Sequence, residues 1–227
     1  MIAQEIINPI VPVLHPTDSI GRALELMQEY RIGQLVLTDA DQYKGIISED
    51  ALMDYANDEL PLAHVMPQHE GVFALNHQHA YELLQLSNQH DLQVLPVVEE
   101  ESMRFLGTIL INDLLTRFAD SLGIQEKGAV VVLKMTNRDY SLSEVSRLIE
   151  TNNTRILSSF FVGNSSTDGY DVPNDARLTL KLNRTDIMPV LATLERFGYD
   201  IEATFANSAI DSPDQERLAN LMRYLSI

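Results

Sequence analysis

The chain has 227 residues, 45 % apolar and 22 % charged, with a net charge of −17 and no cysteine. That length can bury one large core or two ordinary ones, and the missing thiols exclude disulfides, thiolate metal sites and a cysteine nucleophile. Residues 1–120 hold 19 Asp and Glu against 5 Lys and Arg, a balance of −14, whereas residues 121–227 hold 14 against 11, a balance of −3. The first half therefore repels polyanions, and the basic footprint that nucleic-acid binding needs is missing.

The first residues, MIAQEIINPIVPV, put no basic residue ahead of an apolar stretch as a secretory signal would, and no apolar run further on is long enough for a bilayer span. A cytoplasmic protein without membrane contact is the expectation. From Val13 the chain repeats itself: Val13–Leu37 lies over Phe73–Val97 at an offset of 60, and Gly45 over Gly107 at an offset of 62. The matched order is strand, helix, strand, strand, helix. In the first copy Ile20, Ala23, Leu24 and Met27 recur at helical spacing, followed by the strand QLVLTD, the turn DADQYKG, the short strand GII and the helix EDALMDYAN. In the second copy Ala80, Leu83, Leu84 and Ser87 take the helix positions, VLPVV and LGTIL the strands, and INDLLTRFADSL the closing helix. Copies of about 60 residues (1–60 and 61–122, with Pro61 at the join) are too small to bury their faces alone, so they are expected to pack on each other.

After Gly123 the pattern changes. AVVVLKM (129–135) reads as a buried strand, and Ser141 with Glu144 forms a capping box ahead of Leu142, Val145, Leu148 and Ile149. RILSSFFVG (155–163) is a second strand, NSSTDGYDVPND a hairpin loop, and ARLTLKLN a third strand with Leu178, Leu180 and Leu182 facing inward. A helix follows over about 185–197, stopped by Gly198, and DIEATF is a fourth strand. The fold class is thus α/β (α+β), with tandem βαββα repeats and then a ferredoxin-like βαββαβ domain over 127–206. Residues 207–227 read as an amphipathic helix.

The two copies, "VPVLHPTDSIGRALELM…GIISEDAL" and "VMPQHEGVFALNHQHAYELL…LPVV…GTILINDL", resemble a cystathionine-β-synthase (CBS) domain pair. The βαββαβ segment resembles an ACT domain, and the order of the three is similar to that of the acetoin-utilisation regulatory proteins. The resemblance implies a terminal motif of glycine, two aliphatics, Thr or Ser, two variable residues and Asp. In members that bind adenine nucleotides the hydroxyl meets phosphate and the carboxylate meets the ribose hydroxyls. Here the first copy has Ser48, but Ala51 stands at the aspartate position and Asp50 comes one residue early; the second has Asp113 and Gly107, but Leu110 stands where the hydroxyl belongs. One degenerate site is implied, with Asp113 towards ribose and Ser48 towards phosphate, and with Lys44 and Arg104 as the nearest cations. The residues by themselves allow another reading, because Ser48 ahead of Glu49 and Asp50 is also what helix capping and the macrodipole select.

In the ACT-like segment the resemblance implies an effector at the loop TNRDYSL, which lacks the glycine many ACT domains have there; by their chemistry Asn137, Arg138 and Asp139 suit a carboxylate and an amine, and a solvated loop capped by Ser141 is the alternative. RNA recognition by the same plan would need aromatics on the central strands, yet ARLTLKLN has none, and the adjacent Phe160 and Phe161 face opposite sides. The six histidines, all within the first 90 residues, show no HxxxH pattern, so no metal is expected. No nucleophile elbow, phosphate-binding loop or zinc-protease motif occurs.

The reading is a non-enzymatic regulator without a catalytic cofactor. Its first half binds a small ligand such as AMP, ADP or ATP, a second effector sits at the ACT-like domain, and the chain forms a homodimer that acts on a partner protein. A ligand-free oligomeric scaffold is the alternative.

Overall fold

A computed structural model describes residues 1–163 and 175–206, in two compact units that divide between Phe118 and Ala119. Most of the hairpin loop NSSTDGYDVPND and all of the C-terminal segment 207–227 lie outside the described residues.

The first unit contains two three-stranded sheets. In one, β1 (Val13–Leu14) runs parallel to β2 (Gln34–Asp39), which pairs antiparallel with β3 (Gln42–Ser48); in the other, β4 (Ala74–Leu75), β5 (Val94–Val98) and β6 (Phe105–Leu110) repeat that arrangement. The registers coincide under the sequence offsets, since Leu37 opposes Gly45 and Val97 opposes Gly107, and each ladder slips immediately after that pair. Each copy also has a long helix, α2 (Ile20–Tyr30) or α4 (Ala80–His90), whose cap matches its place in the chain. Ser19 Oγ accepts from Arg22 N at 3.2 Å, whereas His79 accepts from Tyr81 N through its ring and its own N–H bonds Glu82.

Two local features differ from the sequence reading. The first hairpin is tight: Ala40 and Asp41 both take positive φ, which extends β3 back to Gln42 across residues read as a turn. The helix read over EDALMDYAN is only α3 (Glu49–Met53), because Leu52 is its single buried side chain and no apolar stripe carries it further. The chain instead turns back, so that Asp58 and Leu60 carbonyls accept from Gly21 and Ile20 at the start of α2.

What joins the copies is an exchange of leading segments. Residues ahead of β1 in the first copy lie on the second: Ile2 bridges His79, and Asn8 bridges Thr108. Residues ahead of β4 in the second copy lie on the first, with Ser19 bridging Pro61 and Ile46 bridging Gln68. A short helix, α1 (Ala3–Ile6), which the sequence reading did not contain, buries Ala3 and Ile6 among the second copy's core residues. Val36 and Ile46 of the first copy join Val94, Leu95, Ile109 and Leu114 of the second in one apolar cluster. Neither copy closes its core alone. Reciprocal amide bonds add to this, with Gly33 N donating to Gln93 Oε1 at 2.9 Å and Gln93 N to Gln34 Oε1 at 2.8 Å.

In the second unit β7 (Ala129–Thr136), β8 (Ile156–Gly163), β9 (Asp175–Leu182) and β10 (Asp200–Ala206) form an antiparallel sheet ordered β10-β7-β9-β8. Val131, Leu133, Leu178, Leu180 and Leu182 are fully buried beneath α6 (Leu142–Glu150) and α7 (Met188–Arg196), which supply Val145, Leu148, Val190 and Leu194. Phe160 is exposed while Phe161 packs on the core and on Tyr140, ring centroids 4.3 Å apart. The Ser141 cap forms, its Oγ accepting from Glu144 N at 3.4 Å, but the Glu144 carboxylate is bonded to Tyr199.

Candidate ligand cleft in the first unit

Helix α5 (Ile111–Ser121) is anchored by Leu114, which is fully buried. Spacings of three and four residues bring Asp113, Thr116 and Arg117 onto one face of it. The exchanged segment Ile6–Pro9 runs past that face, and together these seven residues enclose a cleft of about 320 Å³. Gly107 lets the segment come this close: at φ +151° it lies against Ile7, whose Cγ2 would stand 2.5 Å from a Cβ placed there. Gly45 does the same in the first copy, at φ +144°, against Pro67 and Gln68.

Within the cleft Asn8 Nδ2 donates to Asp113 Oδ2 at 2.7 Å. Ile10 N donates to Asn8 Oδ1 at 3.0 Å, and because a backbone N–H can only donate, this sets which end of the amide faces the aspartate. Asn8 N also donates to the Thr108 carbonyl at 2.9 Å. Arg117 is exposed and makes no ion pair among the described residues. The arrangement offers one half-buried carboxylate, a hydroxyl, an uncommitted guanidinium and an apolar wall, which suits a polyhydroxylated anion with an apolar portion.

The corresponding corner of the first copy differs. Ser48 caps α3, its Oγ accepting from Ala51 N at 3.3 Å, and Asp50 is exposed in the first turn. The positions matching Asp113, Thr116 and Arg117 are Ala51, Asp54 and Tyr55. Lys44 and Arg104 are exposed near the strand hairpins, where Gln42 bridges Arg104, and neither lines the Asp113 cleft. Among the described residues, the cation that lines it is Arg117. Its signal in the sequence is its place four residues beyond Asp113, one turn further along the helix INDLLTRFADSL. A neighbouring cavity, also about 320 Å³, lies between Tyr30–Ile32 and Leu92, Gln93 and Leu110–Asn112, so Leu110 lines it without offering a hydroxyl.

In the second unit Arg138 and Asp139 line a cavity of about 460 Å³ with Lys134, Glu144, Tyr199 and Asp200 among its other walls. Asp139 is already held by its own turn, accepting from Thr136 Oγ1 at 2.6 Å. Asn137 does not line this cavity and lies beside Gly163. Burial and the Glu144 carboxylate hold the Tyr199 hydroxyl above its ordinary pKa. Among the described residues no three His, Cys, Asp or Glu side chains gather to hold a metal ion, and no helix is long and apolar enough to cross a membrane.

Residues 3–58 match the family model of the CBS domain, and the second copy repeats that topology strand for strand in the same register. The first unit thus holds one stretch that matches the CBS domain and a second with the same strand topology. Among curated proteins the chain is similar to inosine-5′-monophosphate dehydrogenase of Methanocaldococcus jannaschii, 25 % identical over 149 residues, which is 65 % of this chain. The chain spans 30 % of the length of that relative. Among solved structures it is similar to a CBS domain pair/ACT domain protein of Thermotoga maritima, at 21 % identity and TM-score 0.48 over 54 % of this chain and 99 % of that one. Another is the CBS domains of a transcriptional regulator of Streptococcus pneumoniae, at 16 % identity and TM-score 0.46 over 51 % and 98 %. A third is CBSX2 in complex with AMP, at 17 % identity and TM-score 0.46 over 55 % and 98 %.

Proposed function

We propose that this CBS pair is a non-catalytic sensor of an adenosine-containing nucleotide, held in the cleft between Ile6–Pro9 and Asp113–Arg117. The observation that carries the reading is the juxtaposition of the Asp113 carboxylate and the uncommitted Arg117 guanidinium along one apolar-walled groove. A carboxylate accepts from both hydroxyls of a cis-diol, and a guanidinium meets phosphate oxygens in a forked geometry. In a chain of charge −17, a local cation is what admits an anion. Ser48 and Asp50 have no part in this site, and one nucleotide binds per chain.

The reading extends to the second unit, taken as ACT-type. Lys134, Arg138, Glu144 and Asp200 put both signs of charge around one cavity, which suits a zwitterion such as an amino acid. The chain acts in the cytoplasm as a homodimer that conveys occupancy to a partner protein. A ligand shifts such an assembly only through unequal affinity for its two arrangements.

The Asn8–Asp113 bond favours a second reading, an oligomeric scaffold without ligand, because it already engages one oxygen of the carboxylate within the chain. Thermal-shift titration with AMP, ADP, ATP and S-adenosylmethionine separates the two. Saturable stabilisation that Asp113→Ala abolishes supports the sensor, and no shift at millimolar ligand supports the scaffold.

A further inference from the structure

Asn8 is held at every polar group it has. Its N–H donates to Thr108, its carbonyl accepts from Val11 at 3.4 Å, its Oδ1 accepts from Ile10 and its Nδ2 donates to Asp113. The side chain therefore cannot turn, and the one group it presents to the cleft is a donor aimed at Oδ2. Asp113 makes no other bond among the described residues, so its second oxygen, Oδ1, faces no protein donor. A half-buried carboxylate without such a brace would sample rotamers, and only some of them align both oxygens with a diol.

We propose that Asn8 is a positioning residue that sets the sugar specificity of this cleft. It fixes the plane of the Asp113 carboxylate, so that Oδ1 and the remaining lone pair of Oδ2 accept from the two hydroxyls of a ribose. The proposal rests on the nucleotide reading of the cleft. It goes further by assigning the discrimination between ribose and deoxyribose to a residue outside the second copy, on the segment ahead of β1 in the first. A deoxyribose offers one hydroxyl, which a mobile carboxylate satisfies as well as a fixed one.

The test measures affinities of the full chain for AMP and 2′-deoxy-AMP by calorimetry, in the wild type, Asn8→Ala and Asn8→Ser. Serine keeps an acceptor for Ile10 N but cannot reach Asp113, so it serves if alanine disturbs the turn; the melting temperature of each variant establishes that it is folded. The wild type prefers AMP, and in a folded variant the affinity for AMP falls about tenfold while that for 2′-deoxy-AMP stays, so the preference collapses. An unchanged ratio in a folded variant overturns the proposal while leaving the nucleotide reading intact. A wild type that binds neither, or both equally, overturns the ribose reading and this proposal with it.

Discussion

Gly107 and Ile7 come from opposite ends of the first unit, yet a Cβ on the glycine would lie 2.5 Å from Ile7 Cγ2. The glycine also holds φ +151°, so an alanine there meets both backbone strain and a clash. Gly107→Ala is expected to destabilise the first unit by about 3 kcal/mol. Adding Ile7→Ala relieves the clash and leaves the strain, so the double variant should recover about 1 kcal/mol relative to additivity. Denaturant unfolding of the four proteins checks this, and strictly additive losses would show that the two residues do not touch.

Ile46 belongs to the first copy but packs in a cluster composed mostly of second-copy residues. Ile46→Ala should cost about 3 kcal/mol. Hydrogen exchange should then report loss of protection in β5 and β6 as well as in β2 and β3. Protection lost from the first copy alone would mean that the copies are independent.

Among the described residues, Arg117 is the only cation lining the Asp113 cleft. Arg117→Gln should weaken binding of AMP about tenfold while leaving adenosine nearly unchanged, because the guanidinium addresses phosphate and not sugar. Equal loss for nucleoside and nucleotide would remove it from the phosphate end.

Tyr43 donates to the His69 carbonyl at 2.6 Å, and burial together with the Glu70 charge pushes its hydroxyl well above the ordinary value of 10.0. The neutral form is thus favoured in the folded state. Above pH 10 the unfolded tyrosine ionises while the folded one does not, so the stability this group contributes is present below pH 10 and lost as pH rises toward its folded value. Tyr43→Phe should lower the melting temperature at neutral pH through the lost hydrogen bond, and should flatten its decline between pH 10 and 11. Parallel pH profiles for the two proteins would exclude Tyr43 as the cause.

Much of this could be read from residue order. The offset of 60 appears as identical strand registers, and Leu178, Leu180 and Leu182 lie inward as their alternation requires. Local rules also located Asp113 at a helix start. Where a side chain has two uses they leave both open: Ser48 reads as ligand or as cap, and its hydroxyl accepts from Ala51 N. Lys44 and Arg104 stand close in sequence to the two glycines but do not line the Asp113 cleft, because closeness along an extended chain does not put side chains on one face.

By itself the sequence determined the doubled topology, the two glycine corners and the acidic field, because periodicity, turn chemistry and charge are properties of short stretches and simple sums. Only the tertiary structure decided that residues 6–9 complete the second copy's cleft, with Asn8 on Asp113 and Arg117 beside it. Asn8 and Asp113 are 105 positions apart, and no local preference links them. They meet because each copy leaves a face that only the other's leading segment can cover.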